Sequence, residues 1–145
     1  MAITTAMCTS FKQELLGGVH DLDTHTLKLA LIKSSMSGTY GAATANYSDV
    51  TGNSDEASGT NYSAGGQNLD SATIAVSSTT AHVDFADEVF SNVTVSADGC
   101  IIYNSSASNK AICVIDFGGT VSATAGDLTI EFPAAGASTA VIRIA

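Results

Sequence analysis

The sequence predicts an all-β domain, an antiparallel β-sandwich of jelly-roll or Greek-key type carrying a short N-terminal helix and one long loop. Three observations lead there. In Gly99 to Phe117, GCIIYNSSASNKAICVIDF, two apolar runs, Cys100 to Tyr103 and Ala111 to Phe117, flank a polar Asn/Ser/Ala/Lys segment, which reads as a hairpin. Strand signals separated by turn residues recur about every 8 to 12 positions after Gly65-Gly66. The composition is rich in Ser, Thr, Ala and Gly, with one proline and no Trp, which disfavours a helical bundle.

The hairpin organises the rest. With its turn centred on Ser106 and Ala107, Cys100 pairs with Cys113, Ile101 with Ile112, Ile102 with Ala111 and Tyr103 with Lys110. One face then carries Cys100, Ile102, Ala111, Cys113, Ile115 and Phe117, and goes into the core. The other carries Ile101, Tyr103, Lys110, Ile112, Val114 and Asp116, and lies under another element or at a contact.

Thr9 to Leu16 predicts a helix of two turns. Ser10 with Gln13 resembles a capping box, Phe11, Leu15 and Leu16 form an apolar side, and Gly17-Gly18 ends it. Thr26 to Lys33 alternates as a strand, with Leu27, Leu29 and Leu31 on one face. From Ser34 to Gly66 periodicity is lost, and Tyr40, Tyr47 and Tyr62 are the large side chains of a small-residue loop. Such a loop is suited to docking on a flat partner, and equally to being pinned by its tyrosines to its own sandwich. Strands follow at Leu69 to Val76, at Thr80 to Phe85 with Val83 and Phe85 inward and His82 and Asp84 outward, and at Val89 to Val95. Gly118-Gly119 and Gly126 bracket an expected turn, Asp127 to Phe132 alternates cleanly, and Ser138 to Ile144 closes the series.

The 145 residues make one domain, 1–145, large enough to fold without a disulfide or metal scaffold. Charged residues are 13% of the chain and the net charge is −9, with the five basic residues spread along it, so no basic patch is present to neutralise nucleic-acid phosphates. The N-terminus lacks a basic start and a long apolar core, and no apolar run approaches the ~18 residues of a membrane helix, so synthesis in a cytoplasm is expected. Cys8, Cys100 and Cys113 fit buried thiols, with a Cys100–Cys113 disulfide as the second reading.

Chemistry-bearing motifs are sparse. His20, Asp21, Asp23 and His25 in HDLDTH offer metal-ligand types, but without supporting spacing a solvated connection is favoured and no metal is expected. Asp84, Asp87 and Glu88 read as a solvated group and not as an acid–base pair. Asp116-Phe117-Gly118 matches a kinase string in a chain lacking every other kinase element. No nucleophile motif or phosphate-binding glycine loop appears, and neither an enzyme nor a cofactor is expected.

The ordered series Phe11, Glu14-Leu15-Leu16-Gly17, His20, Leu27-Lys28-Leu29-Ala30-Leu31, Glu56-Ala57-Ser58-Gly59, Tyr62 and Gly65-Gly66 carries a family resemblance. It continues through Val83-Asp84-Phe85-Ala86, Ser91-Asn92, Ile102-Tyr103-Asn104, Asp116-Phe117-Gly118, Phe132-Pro133 and Ile142-Arg143-Ile144. In these strings and their order the chain resembles the capsid decoration, or cement, proteins of tailed bacteriophages. The resemblance implies a virion protein on the outer surface of an icosahedral head, with the major capsid protein as partner, often as a small oligomer. A dimer is preferred here because exposed strand edges gain from pairing. Phe11, Leu15 and Leu16 of the helix and Tyr40, Tyr47 and Tyr62 of the loop are the expected partner contacts. The rival expectation is a tail- or fibre-associated module that binds glycans through tyrosine faces.

Overall fold

Two long strands running antiparallel form the backbone of the fold. The computed structural model describes residues 2–145. In chain order the elements are β1 (Ala2–Ile3), β2 (Ala6–Met7), α1 (Thr9–Leu16), β3 (Leu27–Ile32), β4 (Thr39–Tyr40), α2 (Ser48–Gly52) and β5 (Gln67–Asn68). Then come β6 (Thr73–Ser77), β7 (Thr80–Asp84), β8 (Glu88–Asn104), a 3-10 turn (Ser105–Ala107), β9 (Lys110–Ile130) and β10 (Ile142–Ile144). One sheet has the order β2-β9-β8-β3-β5, a second β10-β7-β6, and β1 and β4 form a short parallel pair. The domain is therefore all-β with antiparallel main sheets and short helices. Five, three and two strands are not the two four-stranded sheets of a jelly roll.

The predicted hairpin is present, at a different register. The 3-10 turn is followed by Ser108 and Asn109 in the left-handed region, and Asn104 pairs with Lys110. A bulge between Ile102 and Tyr103 then shifts the pairing once more, so Cys100 faces Ile115, Ile101 faces Val114 and Ile102 faces Cys113. Cys8, Cys100 and Cys113 are buried free thiols.

Both faces of the hairpin are covered, because Ile101, Tyr103, Ile112 and Val114 are buried as fully as Cys100, Ile102 and Ala111. β3 is likewise enclosed from both sides, with Leu29, Ala30, Leu31 and Ile32 all buried. Here α1, the long loop and the N-terminal segment cover what an open sheet would leave in water.

The expected separate strand at Val89 to Val95 is the first part of β8, and the expected turn at Gly118-Gly119 lies inside β9. Those glycines mark a large bulge: between the pairs Ala97↔Val121 and Gly99↔Asp116, β9 spends four residues against one on β8. Gly118 sits at φ +75° there, and two further shifts fall beside Asn92 and Ala125, which also have positive φ. Sequence glycines that look like a chain reversal thus twist a continuous ribbon.

The helix forms as expected but without its capping box. Cys8 is the N-cap, and Ser10 Oγ, one residue inside the helix, is buried without a hydrogen-bond partner. At the other end Gly18, at φ +73°, allows Gly18 N to donate to Leu15 O and Val19 N to Glu14 O.

Candidate interaction surface

Asp55 and Glu56 are consecutive in a short extended segment that returns beside β3, where Lys33 N donates to Asp55 O, Ala57 N donates to Leu31 O, and Ile32 bridges Glu56. Consecutive side chains of an extended chain point to opposite sides. One step of backbone therefore serves two separate tyrosine clusters.

On the first side Asp55 is fully buried and accepts hydrogen bonds from Tyr40 Oη at 2.6 Å, Gly38 N at 2.7 Å and Ser37 N at 2.9 Å. Lys33 Nζ lies 3.3 Å from its Oδ1. Burial alone would raise the Asp55 carboxyl, but the Tyr40 hydroxyl, the Ser37 and Gly38 amides and Lys33 outweigh it and hold it well below the usual carboxylate range. The same contact and burial push the Tyr40 phenol up to about 12.

On the second side Glu56 accepts from Tyr47 Oη in a short hydrogen bond, from Tyr62 Oη at 3.0 Å and from Gly65 N at 2.6 Å. Tyr62 Oη in turn accepts from Leu31 N at 2.9 Å. Tyr47 stacks on Tyr103 with ring centroids 4.5 Å apart, and Tyr103 Oη donates to Gly65 O at 2.7 Å. Desolvation, then Glu56, raises the Tyr47 phenol far above its ordinary value. All three loop tyrosines thus face their own domain. The pinning reading of the loop accounts for them, and their hydroxyls are already engaged.

The helix contributes differently along its length. Phe11 is fully buried, with its ring edge against His20 at a centroid distance of 5.0 Å, so it offers no outer contact. Leu15 is half-buried, whereas Leu16, which the sequence puts on the same apolar side, is 92% exposed. Position i+5 has rotated off the face shared by Phe11 and Leu15. Helix α1 is held by Glu14, which lies 2.7 Å from His20 Nε2 and 2.8 Å from Lys110 Nζ. Burial works to raise the Glu14 carboxyl, but the hydrogen bonds from Lys110 and His20 prevail and hold it below its ordinary value.

The polar groups of the HDLDTH segment are engaged by partners within the protein. His20 turns inward, and Asn104 Nδ2 lies 3.0 Å from its Nδ1 and 2.9 Å from His25 Nδ1. Asp21 accepts from Asp23 N, Thr24 N and Thr24 Oγ1, which closes a local turn. Among the described residues no group of three or more His, Cys, Asp or Glu is placed to hold a metal ion.

Two members of the polar stretch around β7 also differ from expectation. His82 is buried, its Nε2 3.1 Å from Ser77 Oγ, where strand alternation put it in solvent. Glu88 is buried at the start of β8 and not in an open turn; desolvation and then Asp70 raise its carboxyl. The small sheet buries residues on both of its faces, Thr80 and His82 on one and Val83 and Ile142 on the other.

The apolar face of β10-β7-β6 is buried at Val83, inward as expected, and at Ile142, and open toward β6 and the end of β10. The rows Ile142–Val83–Ile74 and Ile144–Ala81–Val76 run across it, and Ile74, Val76 and Ile144 are 51%, 69% and 47% exposed. Together with Leu15 and Leu22 this face lines a groove of about 430 Å³. A second groove, of about 770 Å³, runs between β9 and the C-terminal segment, past Met7, Phe117, Leu128 and Phe132. In the sequence Ile74 and Val76 alternate with Thr73, Ala75 and Ser77, a pattern that marks an apolar side without telling that it stays exposed.

Compared with known proteins, the chain matches no protein-family model, no curated protein and no solved structure.

Proposed function

We propose that this protein is a structural component of a phage virion, bound to the outside of an icosahedral head, where it strengthens contacts between major capsid subunits. The observation that carries the reading is the apolar groove between α1 and the small sheet, lined by Leu15 and Leu22 on one side and by Ile74, Val83, Ile142 and Ile144 on the other. It lies on a frame whose loop is tied down by the Asp55 and Glu56 hydrogen bonds. A rigid frame loses little conformational entropy on docking, and a shell repeats each contact many times. Binding that favours the assembled lattice over the free subunit stabilises the lattice by linkage.

Leu16 and Leu15 are the helix residues assigned to this contact. Phe11 and the three loop tyrosines support it from inside. Cosedimentation of the purified protein with undecorated expanded heads and with procapsids tests the proposal. Saturable binding to expanded heads is expected, reduced in Leu16→Asp without loss of stability. A folded protein that ignores both shells sinks it.

The second reading is a tail- or fibre-associated glycan-binding module. The hydroxyls of the three loop tyrosines are engaged within the domain, which leaves this reading less well supported than a protein contact. Saturable retention on a glycan array, with no affinity for heads, would reverse that order.

A further inference from the structure

Open strand edges usually carry a device that prevents further pairing: a charge, a proline, a bulge or a cover. Two outer edges of this fold, those of β9 and β6, differ in that respect. Beyond Val114, the side of β9 away from β8 has no strand partner, but it carries Asp116 and Asp127 and is broken by the Gly118 bulge. β6 is the outer strand of β10-β7-β6, and it has none of these devices. Its five residues, TIAVS, contain no charge and no proline, and they pair with β7 from Thr73↔Asp84 to Ser77↔Thr80 without a register shift.

The chemistry of that edge selects its partner. The chain carries a net charge of −9, so two copies repel over most approaches, yet they meet without a carboxylate on either side at β6. A cationic partner would find no carboxylate on this strand to pair with. A two-fold axis perpendicular to the sheet keeps each face on its own side, and a centre at Ala75 uses the whole strand. Thr73 then stands opposite Ser77, Ile74 opposite Val76 and Ala75 opposite its own copy.

We propose that β6 pairs antiparallel with β6 of a second copy of this chain about a two-fold axis through Ala75, giving a six-stranded sheet with order β10-β7-β6-β6-β7-β10. The pairing satisfies the backbone groups of both free edges. It also brings the exposed Ile74 and Val76 of each copy together at the seam. Self-association through this edge does not depend on any shell, and its test uses none.

Sedimentation equilibrium of the full chain over a wide concentration range, with amide hydrogen exchange of residues 73–77 at the two extremes, tests it. The expected result is a reversible dimer whose β6 amides become protected as dimer forms. Val76→Lys is expected to weaken the association by about tenfold or more, because the symmetric contact carries the change twice. Val89→Lys, an equally conservative loss of an exposed valine on β8, is expected to leave it unchanged, and near-native circular dichroism and melting temperature show that both variants fold. A wild-type chain that stays monomeric throughout overturns the proposal. So does a dimer that survives both Val76→Lys and Ile74→Lys with β6 amides still exchanging freely.

Discussion

Tyr40 Oη donates to Asp55 Oδ2 at 2.6 Å inside the core, and this bond closes the first half of the long loop onto the sheet. A buried carboxylate is tolerated where every lone pair is used, and Asp55 meets that condition with two backbone amides, a phenol and an ammonium group around it.

Replacing Asp55 with Asn keeps the shape but puts an amide NH₂ among these donors. The expected cost is about 3 kcal/mol of folding stability, read from urea denaturation. A loss under about 1 kcal/mol would mean that the carboxylate charge is not what organises the site.

The same carboxylate sets an acid sensitivity. Its folded-state value lies below the ordinary aspartate value of about 3.9, so its stabilisation is complete well above that value and is lost as pH falls through it toward the folded-state value. Glu14, also held below its ordinary value, acts in the same direction. Glu88, raised by burial, acts oppositely: its contribution is present below its ordinary value and lost as pH rises through the folded one. Urea midpoints of wild type should therefore fall steeply below about pH 4, and those of Asp55→Asn should fall less. Parallel curves would contradict the assignment.

Glu56→Gln addresses the second half of the loop. The amide cannot accept at every point where Tyr47, Tyr62 and Gly65 donate, and about 2 kcal/mol of stability should be lost. Hydrogen exchange should quicken across residues 56–66 and remain slow in the paired centre of β8 and β9. Uniform quickening through both regions would show that the network holds the whole domain and not this loop.

Gly66 tests the backbone itself. It sits at φ +69°, and a β-carbon added there would lie 1.8 Å from Leu29 O. Gly66→Ala should cost more than about 2 kcal/mol, seen as a lowered melting temperature. Gly52→Ala, where an added carbon meets nothing within 4 Å, is the matched control and should cost little.

What could be read in advance follows from what is local. Helix α1 occupies Thr9–Leu16 because its apolar spacing and closing glycines lie within the segment itself. β3 and β7 were legible for the same reason, through alternation. The pairing of Cys100 with Ile115 was not, because it depends on left-handed Ser108 and Asn109 and on a bulge, neither of which periodicity records. The inward His82 and outward Val76 also escaped, since alternation separates the two faces of a strand without saying which one the rest of the chain will cover. Tyr40, Tyr47 and Tyr62 were visible as the large side chains of the loop, but the carboxylates that claim them were not. Nothing in the chain's pattern distinguishes Asp55 and Glu56 from solvated acids.

The pairing of β2 with β9 has a consequence for biosynthesis. Ala6 and Met7 have their partners more than 100 residues later in the chain, at Val114 and Cys113, and β3 pairs with Gly99 to Asn104 of β8. Neither of these pairings can form until the ribosome has delivered the later segment, and closing such long loops slows folding. LKLALI therefore has only the short β5 and Glu56 as partners until Gly99 to Asn104 has been made, and its main pairing forms late.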